Sequence, residues 1–341
     1  MKIAQMMAGA ANGGAELFFE RMTIKLHQAR EDVLPLIRPH PARIAKLQAA
    51  GLHPVGLRYG GPLDVFTRPH AARLLRAFHP DVVMAWMSRA GFHAPRGDWR
   101  LVGRLGGYYP LKYFKRCDHL VGNTHDIVRW IKAQGWPQDR VTWLPNFVDD
   151  FAGAQALNRA ELGIPYGAKL VLALGRLHKV KGFDTLIEAM KDVPEAHLAI
   201  AGEGPEQAAL SAQIASHDLG ARVHLLGWRS DVGALLKTAD VFVSSSRHEP
   251  LGNMVLEAFS AQQMVVAAAA EGPREVIRNG EDGVLVPLDD APAMAAALRD
   301  VLRDEALRTR LSTAGRARYE AEFSAPVVLK TWQDYFARIR R

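Results

Sequence analysis

Four short apolar runs succeed one another in a single stretch of the chain: Val171 to Leu174, Leu198 to Ala201, Val223 to Leu226 and Val241 to Ser244. Each ends at a glycine turn or a polar loop, and helical patterning follows before the next run begins. Short apolar runs bounded by turns read as strands buried on both faces. Helical links between them are long enough for parallel crossovers and too long for hairpins. Repetition of that unit predicts a doubly wound α/β sheet.

In such sheets the ligand crevice lies outside the carboxyl ends of the strands, so the loops after these runs are where chemistry is expected. After the first comes Gly175-Arg-Leu-His-Lys-Val-Lys-Gly-Phe183, placing Arg176 and Lys181 where a guanidinium and an ammonium can neutralise a pair of phosphates. A solvated basic turn is the other reading of either residue alone. The second and third runs lead into Gly202-Glu-Gly-Pro-Glu206 and Gly227-Trp-Arg-Ser-Asp231. The fourth leads into Glu249-Pro-Leu-Gly-Asn-Met-Val-Leu-Glu257, two acids separated by seven residues. Met254, Leu256, Ala258 and Phe259 recur at helical spacing, predicting a helix over 253–262 that starts near Gly252. The first amides of such a helix attract an anion, while carboxylates at either end can accept sugar hydroxyls. A nucleotide-sugar site fits; a capped surface helix with two solvated acids is the rival for this segment.

The motifs in this order resemble the retaining glycosyltransferases of the GT4 family (glycosyl transferases group 1). The likeness rests on Gly175-Arg176-Leu177 with Lys181-Gly182, on Gly202-Glu203-Gly204-Pro205, on the Gly227 turn and on Glu249 with Glu257. It extends to Asn279-Gly-Glu-Asp-Gly-Val-Leu-Val286, and in all it covers most of residues 170 to 290. The resemblance implies a GT-B fold: two Rossmann-like doubly wound domains facing a central cleft, with a C-terminal helix crossing back to the first. It implies transfer of a hexosyl-type sugar, with retention, from a nucleoside-diphosphate sugar to a glycan or lipid-linked acceptor, as in lipopolysaccharide or other cell-surface polysaccharide synthesis. Arg176 and Lys181 would hold the diphosphate, Glu249 would face the sugar, and Glu257 would accept the ribose hydroxyls. The glycine loops at Gly175 and Gly204 would border the donor, the amides of Leu251, Gly252 and Asn253 would reach it, and Trp228 and Arg229 would flank the base. Catalysis would fall to Arg176, Lys181 and Glu249. Neither a metal nor another cofactor is implied, and UDP, GDP and ADP donors stay open.

The first half is compatible. Lys2 to Met7 reads as an opening strand, and Asn12-Gly13-Gly14 precedes an apolar helix containing Leu17, Phe18, Met22 and Leu26. Glycines at a strand-to-helix turn let backbone approach a phosphate; by resemblance, Gly13 and Gly14 would close over the donor. A dinucleotide site is the rival, but the turn does not spell Gly-x-Gly-x-x-Gly, and Glu31 and Asp32 precede the next apolar run where a ribose-binding acid should follow it. Relatives often carry a histidine after the strand corresponding to residues 81–84. Here the chain reads Ala85-Trp-Met-Ser-Arg89, leaving Ser88, Arg89 or His93 as candidates for acceptor contact.

Composition narrows the field further. A single cysteine, Cys117, forbids an intrachain disulfide and a cysteine zinc cage, consistent with a reducing cytosol. The 13 histidines show no His-x-x-x-His spacing, and no Gly-x-Ser-x-Gly elbow is present. No basic-then-apolar leader opens the chain and no apolar run is long enough to span a bilayer. The net charge of +7 is uneven: residues 1–145 hold 21 Lys and Arg against 10 Asp and Glu, a net +11, whereas the remainder holds 22 against 26, a net −4. A basic first half suggests an anionic partner such as a membrane surface, a phosphorylated lipid or an acidic glycan; no nucleic-acid-binding motif is present. Two segments, 67–78 and 106–116, interleave basic residues with Leu74, Leu75 and Phe78 or with Tyr108, Tyr109, Tyr113 and Phe114. Each suits the interface of an anionic bilayer, or equally an amphipathic element with its apolar side in the core. The expectation is a cytoplasmic protein at the inner face of the cytoplasmic membrane.

The predicted organisation is an acceptor-binding domain over 1–145 and a donor-binding domain over 146–322, with 323–341 crossing back. The family's linker often reads Asn-Gly-Val-Asp, and Phe147 departs from it. Two other functions share such a crevice: a sugar-nucleotide epimerase or glycan phosphorylase, and a non-catalytic nucleotide-sugar-binding protein.

Overall fold

The computed structural model describes residues 1–11, 13–61 and 63–340, so Asn12 of the glycine-pair turn lies outside the described residues. The chain divides into two compact units, Met1–Phe147 with Ala325–Arg341, and Val148–Ser324.

In the first unit β1 (Lys2–Met7), β2 (Asp32–Ile37), β3 (Val55–Gly56), β4 (Val82–Trp86), β5 (Arg100–Leu105), β6 (His119–Gly122) and β7 (Val141–Trp143) alternate with α1 (Gly14–Gln28), α2 (Pro41–Ala49), α3 (Thr67–Phe78), α4 (Met87–His93) and α5 (His125–Ala133). Every pairing is parallel, in the order β3-β2-β1-β4-β5-β6-β7. In the second unit β8 (Lys169–Leu174), β9 (Ala196–Ala201), β10 (Val223–Gly227), β11 (Val241–Ser244), β12 (Val265–Ala268) and β13 (Val284–Val286) form a parallel sheet in the order β10-β9-β8-β11-β12-β13. Its helices are α6 (Phe183–Ala189), α7 (Gln207–Ser216), α8 (Val232–Thr238), α9 (Asn253–Ser260), α10 (Glu271–Val276), α11 (Ala291–Arg303) and α12 (Glu305–Arg318).

Each unit is therefore Rossmann-like, and each has a switch point where the winding reverses: between β1 and β4 in the first, between β8 and β11 in the second. The helices cover both faces of each sheet, which explains why the strands are apolar almost without alternation. Gln5 breaks the run in β1, yet it is fully buried and its Oε1 accepts the Trp86 indole N–H at 2.6 Å.

After the second unit α13 (Ala325–Ile339) returns to the first. Val328, Trp332, Tyr335, Phe336 and Ile339 make its buried stripe. Trp332 stacks with Trp86 at 6.4 Å, and its indole N–H donates to the Pro145 carbonyl at 3.2 Å. Phe147 is buried, edge-on to Phe18 at 5.3 Å, so the large side chain at the family's glycine position is spent on this core. Cys117 is a buried free thiol, and burial raises its pKa well above the usual range.

Candidate active site

An ion pair joins the loops flanking the switch point of the second unit: the Lys181 ammonium donates to Glu249 Oε2, linking the loop after β8 to the loop after β11. Both side chains are about four-fifths buried, 21% and 20% exposed, so the pair is held in place while still reachable. Lys181 closes a short 3₁₀ turn, and Gly182 follows in the left-handed region at φ 61°. A Cβ at Gly182 would sit 2.2 Å from the Ser245 carbonyl oxygen, so only glycine lets these two loops touch. The Ser245 hydroxyl donates to the Lys181 carbonyl at 2.8 Å, fixing the backbone from which the ammonium projects.

Neighbouring turns interlock. The Leu177 amide donates to the Glu203 carbonyl at 2.8 Å, the Glu206 amide to the Leu177 carbonyl at 3.1 Å, and the Gly202 amide to the Gly227 carbonyl at 2.7 Å. A Cβ at Gly204 would lie 2.3 Å from the Leu177 carbonyl oxygen, so the two loops pack backbone on backbone. Arg176 stands exposed on this platform, next to Gly175.

Gly252 is the N-cap of α9 and offers no side chain to cap it. Leu251 is buried ahead of it, Asn253 begins the helix, and Glu257 lies one turn in, only 4% exposed. The Glu249 carbonyl accepts the Gly272 amide at 2.8 Å, tying this loop to α10. Thus Gly175, Arg176, Lys181, Gly204, Glu249, Leu251, Gly252, Asn253 and Glu257 all belong to loops or helix starts at the carboxyl ends of β8, β9 and β11. Trp228 is 68% exposed on the turn after β10, and Arg229 beside it is committed to Asp231 through contacts of 2.8 and 2.5 Å.

Three positioning residues escape a motif reading. The Arg247 guanidinium grips Asp184 through two 2.7 Å bonds, reaches Asp289 at 2.6 Å and the Lys179 carbonyl at 2.7 Å, so it braces the Lys181 loop from below. That contact holds the Asp184 carboxyl below its ordinary range. Glu271 takes the His248 ring at 3.0 Å and the Glu249 amide at 3.2 Å. Burial alone would raise its carboxyl, but its own amide, His248 and the Glu249 amide outweigh that and leave it lowered. Ser245 and Arg247 immediately precede Glu249 in the chain, a signal available to inspection; for Glu271 the sequence holds none.

In the first unit Gly13 is the N-cap of α1 and Gly14 its first residue. Glu16 folds back under them, accepting the Ala10 amide at 2.8 Å, and a Cβ at Gly13 would meet its carboxylate at 2.3 Å. At this unit's switch point a cavity of about 540 Å³ is lined by Gly9, Glu16, Arg38, Trp86, Met87, Ser88, Arg89, Phe92 and Tyr109, among others. Ser88 and Arg89 line it; His93 does not. That ring is buried, with Nε2 3.2 Å from the Gly60 carbonyl oxygen and packed edge-on to Tyr59 and Phe92.

Comparison with known proteins identifies the family. The signature of the glycosyl transferases group 1 matches residues 154–318, within the second unit. The chain is 33% identical over 341 residues to the lipopolysaccharide core biosynthesis glycosyltransferase LpsE of Rhizobium meliloti (strain 1021), 99% of each chain being covered. The chain belongs to the glycosyl transferases group 1. This glycosyltransferase is also 34% identical to LpsD of the same organism, over 99% of its own length and 98% of the relative's. Among solved structures, Anabaena Alr3699/HepE in complex with UDP superposes with a TM-score of 0.87 at 20% identity, covering 99% of this glycosyltransferase and all of that chain. The apo form of the lipopolysaccharide outer core galactosyltransferase WaaB gives 0.76 at 17% identity, over 99% and 100%. At these identities the likeness shows the fold, which is GT-B.

Proposed function

We propose that the protein is a retaining GT4-type glycosyltransferase that moves a hexosyl group from a nucleoside-diphosphate sugar to a glycan or lipid-linked acceptor of the lipopolysaccharide kind. The observation that carries the proposal is the Lys181–Glu249 contact at the switch point beside the uncapped start of α9. Within the pair each charge neutralises the other. A diphosphate arriving at Arg176 and the α9 amides competes for the Lys181 ammonium, and the released Glu249 carboxylate is then an acceptor for sugar hydroxyls. Glu257, buried on α9, accepts the ribose hydroxyls.

In the reaction the bond from the anomeric carbon to the phosphate oxygen breaks and a bond from that carbon to the acceptor oxygen forms on the same face. The acceptor proton passes to the departing phosphate oxygen. Negative charge grows on the diphosphate as the bond stretches, and Arg176, the Lys181 ammonium drawn from Glu249, and the helix-start amides stabilise it. Side-chain cations fill the role a metal would otherwise play, so we expect no requirement for a divalent ion. Gly13 and Gly14 would close over the donor, Trp228 and Arg229 would border the base, and the cavity with Ser88 and Arg89 would receive the acceptor. The relatives' names support the lipopolysaccharide assignment. The complexes of HepE with UDP and UDP-glucose put UDP first among the nucleotides to test. We place the enzyme in the cytoplasm at the inner membrane face, its basic first unit meeting anionic lipid.

Calorimetric titration of UDP, GDP, ADP and NAD, with and without Mg²⁺, tests the site. The expected outcome is tight binding of one nucleoside diphosphate, indifferent to Mg²⁺ and lost in Glu257→Ala. Binding of NAD, or of none of the four, overturns it.

A further inference from the structure

Among the described residues, eight large apolar side chains are exposed, and three of them fall within four positions: Leu63 at 92%, Val65 at 68% and Phe66 at 65%. They occupy the loop that leads into α3. The loop is braced rather than loose, because the Asp64 carboxylate between them accepts the amides of Gly60 at 2.7 Å, Phe66 at 3.0 Å and Thr67 at 3.0 Å, and the Thr67 hydroxyl at 2.5 Å. With both oxygens of Asp64 so engaged, the three apolar side chains are held outward in water, where each exposes surface at a free-energy cost.

Positive charge flanks the Phe66 end of this group. The Arg58 guanidinium lies 5.9 Å from the Phe66 ring centroid. Leu57, Arg58, Phe66, Pro69, His70 and Arg73 line a shallow groove of about 390 Å³, and Arg76 is exposed one helical turn further along. No carboxylate lies within ion-pairing distance of Arg58, Arg73 or Arg76 among the described residues. An apolar wedge flanked by arginines is complementary to the headgroups and outer acyl carbons of an anionic bilayer, with the arginines on the phosphates and the wedge beneath them.

We infer that the loop Leu63–Phe66, with Arg58 and Arg73 beside it, is the surface through which the first unit docks on an anionic membrane. The inference rests on the reading above that this unit works at anionic lipid, and it is independent of the transfer chemistry. It also separates the two basic, aromatic-rich segments. Over 106–116 the aromatics turn inward: Phe114 is buried where Gly91 and Gly103 leave room, since a Cβ on either would stand 2.8 or 2.6 Å from its ring, and the Tyr108 hydroxyl is bonded to Asp126. Over 67–78 Ala71 and Leu75 are core, so the exposed apolar group is the loop that precedes the helix.

The test is co-sedimentation of the full chain with vesicles of phosphatidylglycerol and phosphatidylethanolamine, against phosphatidylcholine alone. Wild type should pellet with the anionic vesicles and stay in solution with phosphatidylcholine. The double variant Leu63→Glu, Phe66→Glu, whose positions are exposed so that its melting temperature should hold, should lose about tenfold or more in apparent affinity. Arg58→Ser with Arg73→Ser should weaken binding and flatten its salt dependence. A wild-type chain that ignores anionic vesicles overturns the membrane reading and this surface together. A double variant that binds vesicles like wild type overturns this surface alone; if that variant also dissolves a wild-type dimer, the wedge belongs to a second copy of the chain.

Discussion

The two units share a strand order and differ in what they place at the point where the winding reverses. In the second unit the loops at the β8/β11 switch point are built from backbone packed on backbone, tied by amide-to-carbonyl bonds, and carry Arg176, Lys181 and Glu249 on top. In the first unit the β1/β4 switch point opens on a cavity with Trp86 in its lining, beneath which the Arg104 guanidinium is sealed. That cation lies 5.1 Å from the Trp86 ring and 5.3 Å from Phe18, and donates to Asn146 Oδ1 at 2.6 Å. Burial pushes it down to about 10 against the opposing pull of Tyr109 and Glu16, so it keeps its charge at neutral pH. One topology thus yields a charged cradle in one unit and, in the other, a cavity where aromatic rings stand beside Glu16, Arg38 and Arg89.

The largest expected effect is in the cradle. Lys181→Ala should lower turnover by about 10²–10³-fold, the range seen when one preorganised group facing developing charge is removed. The melting temperature should change little, because among the described residues the ammonium meets only Glu249, and both groups retain access to water. Steady-state transfer assays beside a thermal melt check both halves. Wild-type turnover in the variant would remove the cradle from the chemistry.

Next comes the backbone on which the cradle rests. Gly202 sits at φ 152°, and a Cβ there would lie 1.9 Å from the Gly175 carbonyl oxygen. Gly202→Ala must strain its own backbone and push the β8 loop away, at a cost of roughly 2–4 kcal/mol by the usual range for strained and overpacked positions. Chemical denaturation should show that loss together with weaker nucleoside-diphosphate binding; a fall in stability with unchanged binding would mean the turns do not position the ligand.

The first unit supplies the opposite case. Among the described residues Arg104 has no carboxylate within ion-pairing distance, only the longer-range pull of Glu16, so its burial is poorly compensated and an apolar side chain of similar volume avoids that desolvation cost. Arg104→Met should therefore leave the melting temperature level or raised, while KM for the acceptor rises about tenfold if the charge serves the cavity. A drop of several degrees with unchanged KM would make Arg104 a structural residue and narrow the difference between the two switch points.

The same contrast explains what could be read from the sequence. The strands at β8, β9, β10 and β11 appear as apolar runs in the right places, β8 and β9 beginning two residues before their runs and β10 ending one after, and the helix after Gly252 begins at Asn253 as its spacing predicts, ending two residues short of the predicted Gln262. The site loops of the second unit are local, each carried by one strand end, so each can be read from the residues that follow its own strand. The first unit hides its logic. β5 reads Arg-Leu-Val-Gly-Arg-Leu, and Arg104 can be buried there only because Phe18 and Trp86, from distant parts of the chain, enclose it. Gln5 within β1 waits for Trp86, 81 residues away. Glu271, 22 residues beyond Glu249, reaches it through loop geometry that no spacing rule encodes.

The smallest effect concerns acid, and it locates the unit that yields first. His197 on β9 and His224 on β10 stack at 5.5 Å, with Nδ1 of one 3.2 Å from Nε2 of the other. Burial lowers His197, helped by the Arg222 charge, and burial lowers His224, helped by His197. In the first unit the single ring of His119 is lowered by burial, with Arg100 and Arg140 adding to that and Asp118 and Asp139 pulling it back. A histidine whose folded pKa is depressed favours folding while both states are neutral, above the unfolded value of 6.5. As pH falls through 6.5 the unfolded chain takes up protons first, and the stability contributed by neutral rings is lost until the folded rings also titrate. Because the second unit stacks two such rings and protonating both sets like charges side by side, its strands should lose protection first between pH 7 and 5. Partial exposure of the rings screens that repulsion and keeps the shift to a few degrees. Hydrogen exchange on β9 and β10, compared with β6, resolves the two units, and His224→Phe should flatten the acid slope of the second alone. An equal slope in both units, unmoved by that substitution, would show that the pair is acid-neutral and that carboxylate titration governs the approach to acid unfolding.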